Sequence, residues 1–338
     1  MRLYCGIDLH STNNYLGVYD EQDRGVLCKR LPNELGVVLS SLEPYKAELV
    51  GVVVESTYNW YWLVDGLREH GYRVLLANPG GNEQYNGLKY TDDRHDSRWL
   101  AHMLRLGILA TGYIYPKEER PLRDLLRKRM RLVQQRTAHV VSVENTITRN
   151  TGRRLSWSRI EELTDDQINK LLGAELIRMA ARASFEVIKI LDEQISEIEK
   201  TVKARARLRD EFELLKTIWG IGPILALTVM YETGEIKRFP GVGDYCSYAR
   251  CVGSARWSNG KKKGENNTKN GNRYLGWAYV EAAHFAARFY PRAQKFMQRK
   301  LAKGNRALAA KALGHKLARA SYYVMRDQVE FDPAKLFG

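Results

Sequence analysis

The chain has 338 residues, 44% of them hydrophobic and 28% charged, which excludes a largely disordered polypeptide, and no apolar run reaches the ~18 to 20 residues of a membrane span. That length predicts two domains with ordinary cores and needs no disulfide or metal staple. The 54 Lys plus Arg stand against 39 Asp plus Glu, a net charge of +15, and such an excess predicts a polyanionic partner, most often a nucleic acid. A start that passes directly into an apparent strand, together with four scattered cysteines, predicts a reducing, cytoplasmic compartment and no membrane partner.

In chain order, residues 2–9, 13–20 and 25–31 read as three strands joined by short polar turns, rich in β-branched and aromatic side chains. A helix is predicted around 35–45. The apolar run 49–54 then reads as a strand buried on both faces, central and parallel to the first. A helix over 60–70, a strand over 73–77 stopped by Asn78-Pro79, and an amphipathic helix over 94–106 complete the order β-β-β-α-β-α-β-α. This order matches an α/β ribonuclease H-like domain, a meander extended by parallel strands through right-handed crossovers, and it is assigned to residues 1–115.

Residues 116–207 read as a basic helical and coiled-coil connector. Its first part, 120–150, is predicted to pack on one side and face phosphate on the other. Its second, 174–203, spaces Ala181, Ser184, Ile188, Leu191, Ile195, Ile198 and Val202 by threes and fours, a heptad seam that fits either an intrachain helical hairpin or a contact between subunits. Residues 208–338 read as a mainly α C-terminal domain. Within it, Gly220-Ile-Gly-Pro223 resembles the DNA-binding helix-hairpin-helix turn, where Gly220 and Gly222 would let backbone N–H groups approach phosphate. Helices are predicted over 277–289 and 307–325.

The charge is regional. Residues 1–115 hold 11 basic and 14 acidic side chains, whereas residues 249–319 hold 17 Lys or Arg against only Glu265 and Glu281. Like charges packed this closely repel one another unless an anion offsets them, so a phosphate-binding surface is expected there.

In the first domain, Asp8 ends the first strand and Glu55 ends the buried parallel strand, which places both carboxylates at one crevice of the sheet. Asp93 and Asp96, three apart, share a face of the helix that opens there, although Asp92 and Asp96 also share one. Four carboxylates in one crevice need counter-charge, and Mg²⁺, with Mn²⁺ as a substitute, would offset them and bridge a phosphate oxygen. His95 reads as an exposed or structural residue. The segment from Gly6 to Thr12 also resembles the first phosphate loop of actin-like ATPases and sugar kinases, but His10 stands where that loop has glycine and no second phosphate loop follows.

The basic region contains Ser254-Ala-Arg-Trp-Ser-Asn-Gly-Lys-Lys-Lys-Gly264 and then a segment from Thr268 to Leu275. Following a Gly-x-Gly turn and an Asp/Glu/Asp/Asp domain, this arrangement resembles the DEDD transposases of the bridge-RNA-guided insertion-sequence recombinases. The resemblance covers essentially the whole chain. It implies a RuvC-like first domain with metal-binding Asp8, Glu55, Asp93 and Asp96, and a C-terminal transposase domain with nucleophilic Ser258, Ser254 being a second candidate. It further implies a covalent 5′-phosphoserine link to DNA, donor and target DNA and a structured noncoding bridge RNA as partners, and a homo-oligomer, dimer to tetramer. Arg256, Lys261, Lys262, Lys263, Lys269 and Arg273 would supply cations to the attacked phosphodiester, because a serine hydroxyl is a weak nucleophile without such help. Two rival readings are a Holliday-junction-resolvase-like nuclease that forms no covalent intermediate and a noncatalytic RNA- or DNA-binding scaffold.

Overall fold

The computed structural model describes residues 1–82, 92–264 and 270–337. The chain divides into two compact units, Met1–Lys117 and Glu118–Gly338.

The first unit is built on a mixed five-stranded sheet of order β3-β2-β1-β4-β5. Its strands are β1 (Leu3–Leu9), β2 (Asn13–Tyr19), β3 (Gly25–Pro32), β4 (Leu49–Glu55) and β5 (Val74–Ala77). β1 pairs antiparallel with β2 and parallel with β4, so the meander and the crossover strands meet at β1. Alternation of side chains assigns the two faces. Cys5, Ile7, Val52 and Val54 pack with α1 (Leu35–Leu42) and α2 (Tyr61–Glu69). Val53, on the other face, packs with Leu100 and Met103 of α3 (Asp93–Leu106). β4 is thus covered on both sides, as its unbroken apolar run predicts.

Gly6 sets how closely α3 can lie on β1. A Cβ there would stand 2.0 Å from the Ser97 carbonyl oxygen and 3.0 Å from the Ala101 nitrogen, so only glycine lets the helix backbone touch the strand.

The second unit is mostly helical. Two long helices, α4 (Arg120–Thr151) and α7 (Glu175–Arg205), pack antiparallel, tied by ion pairs between Arg129 and Glu199 and between Arg136 and Asp192. The short helices α5 (Trp157–Ile160) and α6 (Asp165–Leu172) close the far end of this pair over Ile147, Ala181 and Ile188. The heptad seam is therefore used within the chain: Ala181, Ile188, Ile195 and Val202 are buried on the α4 side.

The charge of α4 divides between its sides. Arg123, Arg127, Arg129 and Arg136 pair with carboxylates of this unit. Lys128, Arg131 and Arg149 are exposed.

Beyond α7 come α8 (Asp210–Lys216), α9 (Pro223–Thr233) and α10 (Val242–Tyr248), the two-stranded ribbon β6 (Arg256–Ser258) and β7 (Lys261–Gly264), then α11 (Arg273–Phe289), α12 (Pro291–Leu301), α13 (Arg306–Asp327) and α14 (Pro333–Phe337). α9 is apolar all round and lies within the core of this bundle. Glu232, in α9, is 1% exposed and holds three elements together. Its carboxylate accepts from Arg123 Nε at 3.0 Å and Arg127 Nη2 at 2.8 Å on α4, and from Asn272 Nδ2 at 2.6 Å. Asn272 in turn caps α11 by accepting from the Tyr274 and Leu275 N–H groups. Burial opposes ionisation of Glu232, but the two guanidiniums and the Asn272 amide hold its carboxyl below the usual glutamate range.

Candidate active site

In the first unit the acidic residues meet along one row of the sheet. Asp8 lies opposite Tyr15, and Tyr15 lies opposite Arg30, across β1, β2 and β3. On the other side of β1, the pairing of Ile7 with Val54 brings Glu55 alongside Asp8 at the ends of two parallel strands. The first turn of α3 lies over this row because Gly6 admits the helix so closely. Asp92 is the helix N-cap, its Oδ1 accepting the His95 N–H at 2.7 Å. Asp93 instead reaches inward, with its Oδ1 3.3 Å from His10 Nε2, which is also 3.3 Å from Asp8 Oδ2. Arg30 donates to Asp93 from the far side.

Asp8, His10 and Asp93 each place one ligand-type atom within 4.8 Å of the others. Asp8 is 3% exposed, and its buried Oδ2 accepts no hydrogen bond among the described residues. A buried carboxylate oxygen whose nearest nitrogen, His10 Nε2, forms no hydrogen bond with it has room to bind a hard cation. Burial first, then the neighbouring Glu55 carboxyl, push the Asp8 carboxyl up to about 7, against the opposing pull of His10. Burial also raises Asp96, with Asp93 and Asp92 adding to the effect. Asp93 moves the other way, held down chiefly by the Arg30 guanidinium. The site is thus a carboxylate cluster with unequal proton affinities and one imidazole, a donor set that fits a divalent cation.

His10 and Arg30 were not singled out as site residues by sequence reasoning. His10 carried a signal, since it lies two positions beyond Asp8. Its carbonyl, which accepts from Asn33 Nδ2 and Asn59 Nδ2 at 3.0 Å each, pins the loop to two other segments. Arg30 carried none, because its approach to Asp93 depends on the register of three strands and on the seat of α3.

In the second unit, Ser258 ends β6 directly before a two-residue turn. Asn259 and Gly260 both have positive φ, +51° and +69°, the type I′ geometry that Asn-Gly favours in tight hairpins. Ser258 pairs with Lys261 and Trp257 with Lys262. Cross-strand pairing therefore puts Ser258 and Lys261 on one side of the ribbon and Trp257 and Lys262 on the other, while Lys263 lies at an irregularity where the register shifts. Both strands are exposed throughout, and Trp257 is 63% exposed. Arg256 begins the ribbon; Arg273 begins α11, its guanidinium 5.0 Å from the Tyr274 ring centre. Lys269 lies outside the described residues.

The two glycines of the Gly220-Ile-Gly-Pro223 turn differ. Gly220, at φ +85°, is pressed on α11, where a Cβ would lie 2.1 Å from the Ala282 carbonyl oxygen. It is required by packing. Gly222 is the N-cap of α9 and has open space where its Cβ would be.

Residues 5–150 match the DEDD transposase domain of the IS110 type, and residues 212–298 match the family described as Transposase IS116/IS110/IS902. Both stretches are thus similar to IS110-family transposase domains. It is also similar to a probable family 20 transposase of Pseudomonas aeruginosa, with 24% identity over 237 residues, which is 68% of each chain. The first of these transposase domains contains Asp8, His10, Glu55, Asp93 and Asp96 and runs on through α4; the second contains Gly220, Gly222, the Ser258 ribbon and Arg273. A transposase domain implies a DNA substrate that is cut and rejoined, and the DEDD type suggests a divalent metal. Among the described residues no helix is long and apolar enough to cross a membrane.

Proposed function

We propose that the chain is a site-specific DNA recombinase of an insertion sequence, in which the Ser258 hydroxyl attacks a DNA phosphodiester, breaks its P–O3′ bond to release a 3′-hydroxyl, and carries the strand as a 5′-phosphoserine until a 3′-hydroxyl attacks it and frees the serine. The observation that carries this reading is an exposed Ser258 paired with Lys261, in a run of three lysines, on a ribbon with a tight Asn-Gly turn. There the cations can meet the non-bridging phosphate oxygens while nothing shields the hydroxyl from a duplex. Keeping the phosphoryl bond in an ester to serine conserves its energy, so rejoining needs no nucleotide triphosphate. Asp8, Glu55, Asp93 and Asp96, with His10, would hold Mg²⁺ in a ribonuclease H-like first domain. When bound, the metal would supply a Lewis acid for the phosphoryl oxygens. Arg30 favours ionised Asp93, and the raised Asp8 carboxyl would have to give up its proton for a metal to be held there. A structured guide RNA pairing with donor and target DNA belongs to this reading through the family resemblance.

The test is an adduct assay. Protein, Mg²⁺, guide RNA and DNA are incubated, denatured and separated, comparing the wild type with Ser258→Ala, Ser254→Ala and Asp93→Ala. The expected result is a protein-linked DNA strand with the wild type and with Ser254→Ala, and none with the other two. Free cleavage that survives Ser258→Ala would replace this reading with a resolvase-like nuclease. Binding without any cleavage would leave a scaffold.

A further inference from the structure

The Ser258 ribbon is an excursion between two helices. α10 ends at Tyr248, the chain turns out through Arg250 and Cys251 toward β6, and it returns through Asn270 and Gly271 to α11, which opens with Arg273. Strands of three and four residues, exposed throughout, do little to hold their own direction, so the root of the excursion sets where Ser258 stands.

Two rungs close that root. The inner one is main-chain: the Asn272 N–H donates to the Tyr248 carbonyl oxygen at 2.5 Å. Gly271, at φ +90°, lies against the same oxygen, which a Cβ would approach to 2.5 Å. Asn272 is held in turn by the buried Glu232 carboxylate, to which its Nδ2 donates at 2.6 Å, so the returning end is fastened to the core. The outer rung is a side chain. Arg250 Nε donates to the Gly271 carbonyl oxygen at 3.0 Å and to that of Asn270 at 3.2 Å.

The residue at position 250 runs against its backbone. Arg250 has φ +54°, in the left-handed region that glycine enters freely and a residue with a Cβ enters at a cost. A position that only turned the chain would be better filled by glycine, as positions 260 and 271 are. What the arginine adds is the bond between the two ends of the excursion. Burial, and then the nearby Arg273 guanidinium, hold Arg250 below the usual arginine range, so this bond sits beside the cation that opens α11.

We infer that Arg250 is a positioning residue for Ser258: by joining the departing chain to Asn270 and Gly271 it fixes the ribbon, and with it the serine, relative to Arg273 and the Glu232 network. The inference rests on the reading of Ser258 as the nucleophile. Without the outer rung the ribbon swings about its root, and a bound phosphate is attacked more slowly. DNA affinity, spread over many exposed cations, stays nearly as it was.

Arg250→Gly is the decisive variant, because it relieves the left-handed backbone while deleting the rung. In the full-length protein its unfolding midpoint should equal or exceed that of the wild type. At saturating DNA its rate of adduct formation should fall at least ~10-fold while DNA affinity changes less than ~3-fold. Arg250→Lys, whose ammonium can still donate to the Gly271 carbonyl, should recover part of the rate. Amide hydrogen exchange reads the rung without any chemistry: residues 270–275 of Arg250→Gly should exchange at least ~10-fold faster than in the wild type. A wild-type adduct rate in Arg250→Gly, a loss confined to DNA affinity, a lowered unfolding midpoint or unchanged exchange would each overturn the proposal. Absence of an adduct with the wild type itself would instead remove the reading of Ser258 on which it rests.

Discussion

The carboxylate site and the serine ribbon show two opposite ways of holding reactive groups. In the first unit, Asp8 is 3% exposed and is placed by a sheet row and by helix α3, both anchored in the core. In the second, Ser258 stands on a fully exposed two-stranded ribbon, and isolated hairpins of this kind have little stability of their own. The difference teaches where preorganisation resides. The acidic cluster is formed by the fold itself and bears the electrostatic cost of that. On the proposed function, the serine would be held still only once nucleic acid engaged the exposed lysines of its ribbon.

Several substitutions would break or sharpen that contrast. The largest effect is expected for Ser258→Ala, which should reduce adduct formation by on the order of 10³-fold or more while leaving thermal unfolding unchanged, because the residue supports no core. Glu232→Gln comes next. Removing the charge that offsets Arg123 and Arg127 inside the second unit should cost about 3–5 kcal/mol, read by denaturant unfolding, even though the residue is part of neither candidate site. Gly6→Ala should cost roughly 1–3 kcal/mol through the clash with Ser97 and should weaken Mg²⁺ binding as α3 moves away; calorimetry would show both.

A pH comparison isolates Asp8. Its carboxyl is raised in the fold to about 7, so its stabilising contribution is complete below about pH 4, the unfolded value, and is lost as pH rises through about 7. Without metal, Asp8→Asn should therefore melt higher than the wild type above pH 7, with the difference shrinking toward pH 4. With Mg²⁺ the wild type should regain its advantage at high pH, and an Asn variant that melts in parallel with the wild type at every pH would refute the assignment. The smallest change is expected for Lys261→Gln. It should lower the slope of DNA affinity against salt by about one counterion without altering the fold.

Much of the first unit was legible in the sequence. The strands over 2–9, 13–20 and 25–31 and the run 49–54 emerge within a residue or two of the observed elements, because each alternates or saturates with apolar residues according to its burial. Asp8, Glu55, Asp93 and Asp96 could be put at one crevice because strand ends and a helix start are local features. The second unit was less legible. The Asn259-Gly260 hairpin was written in the sequence as a turn signal, yet its strands are three and four residues long and wholly exposed, without the alternation that marks a strand.

By itself, then, the sequence determined the mixed sheet, the strand-end and helix-start positions of Asp8, Glu55 and Asp93, the helical character of the second unit and the serine in a run of basic residues. All of these depend on residues near one another in the chain. Tertiary structure alone decided that Asp92 is spent on capping α3, that His10 and Arg30 join Asp8 and Asp93, that four arginines of α4 pair with Glu232, Glu199 and Asp192, and that Gly220 serves packing on α11. Each of those depends on which distant surfaces come within about 4 Å, and a one-dimensional pattern of charge and hydrophobicity does not encode that distance.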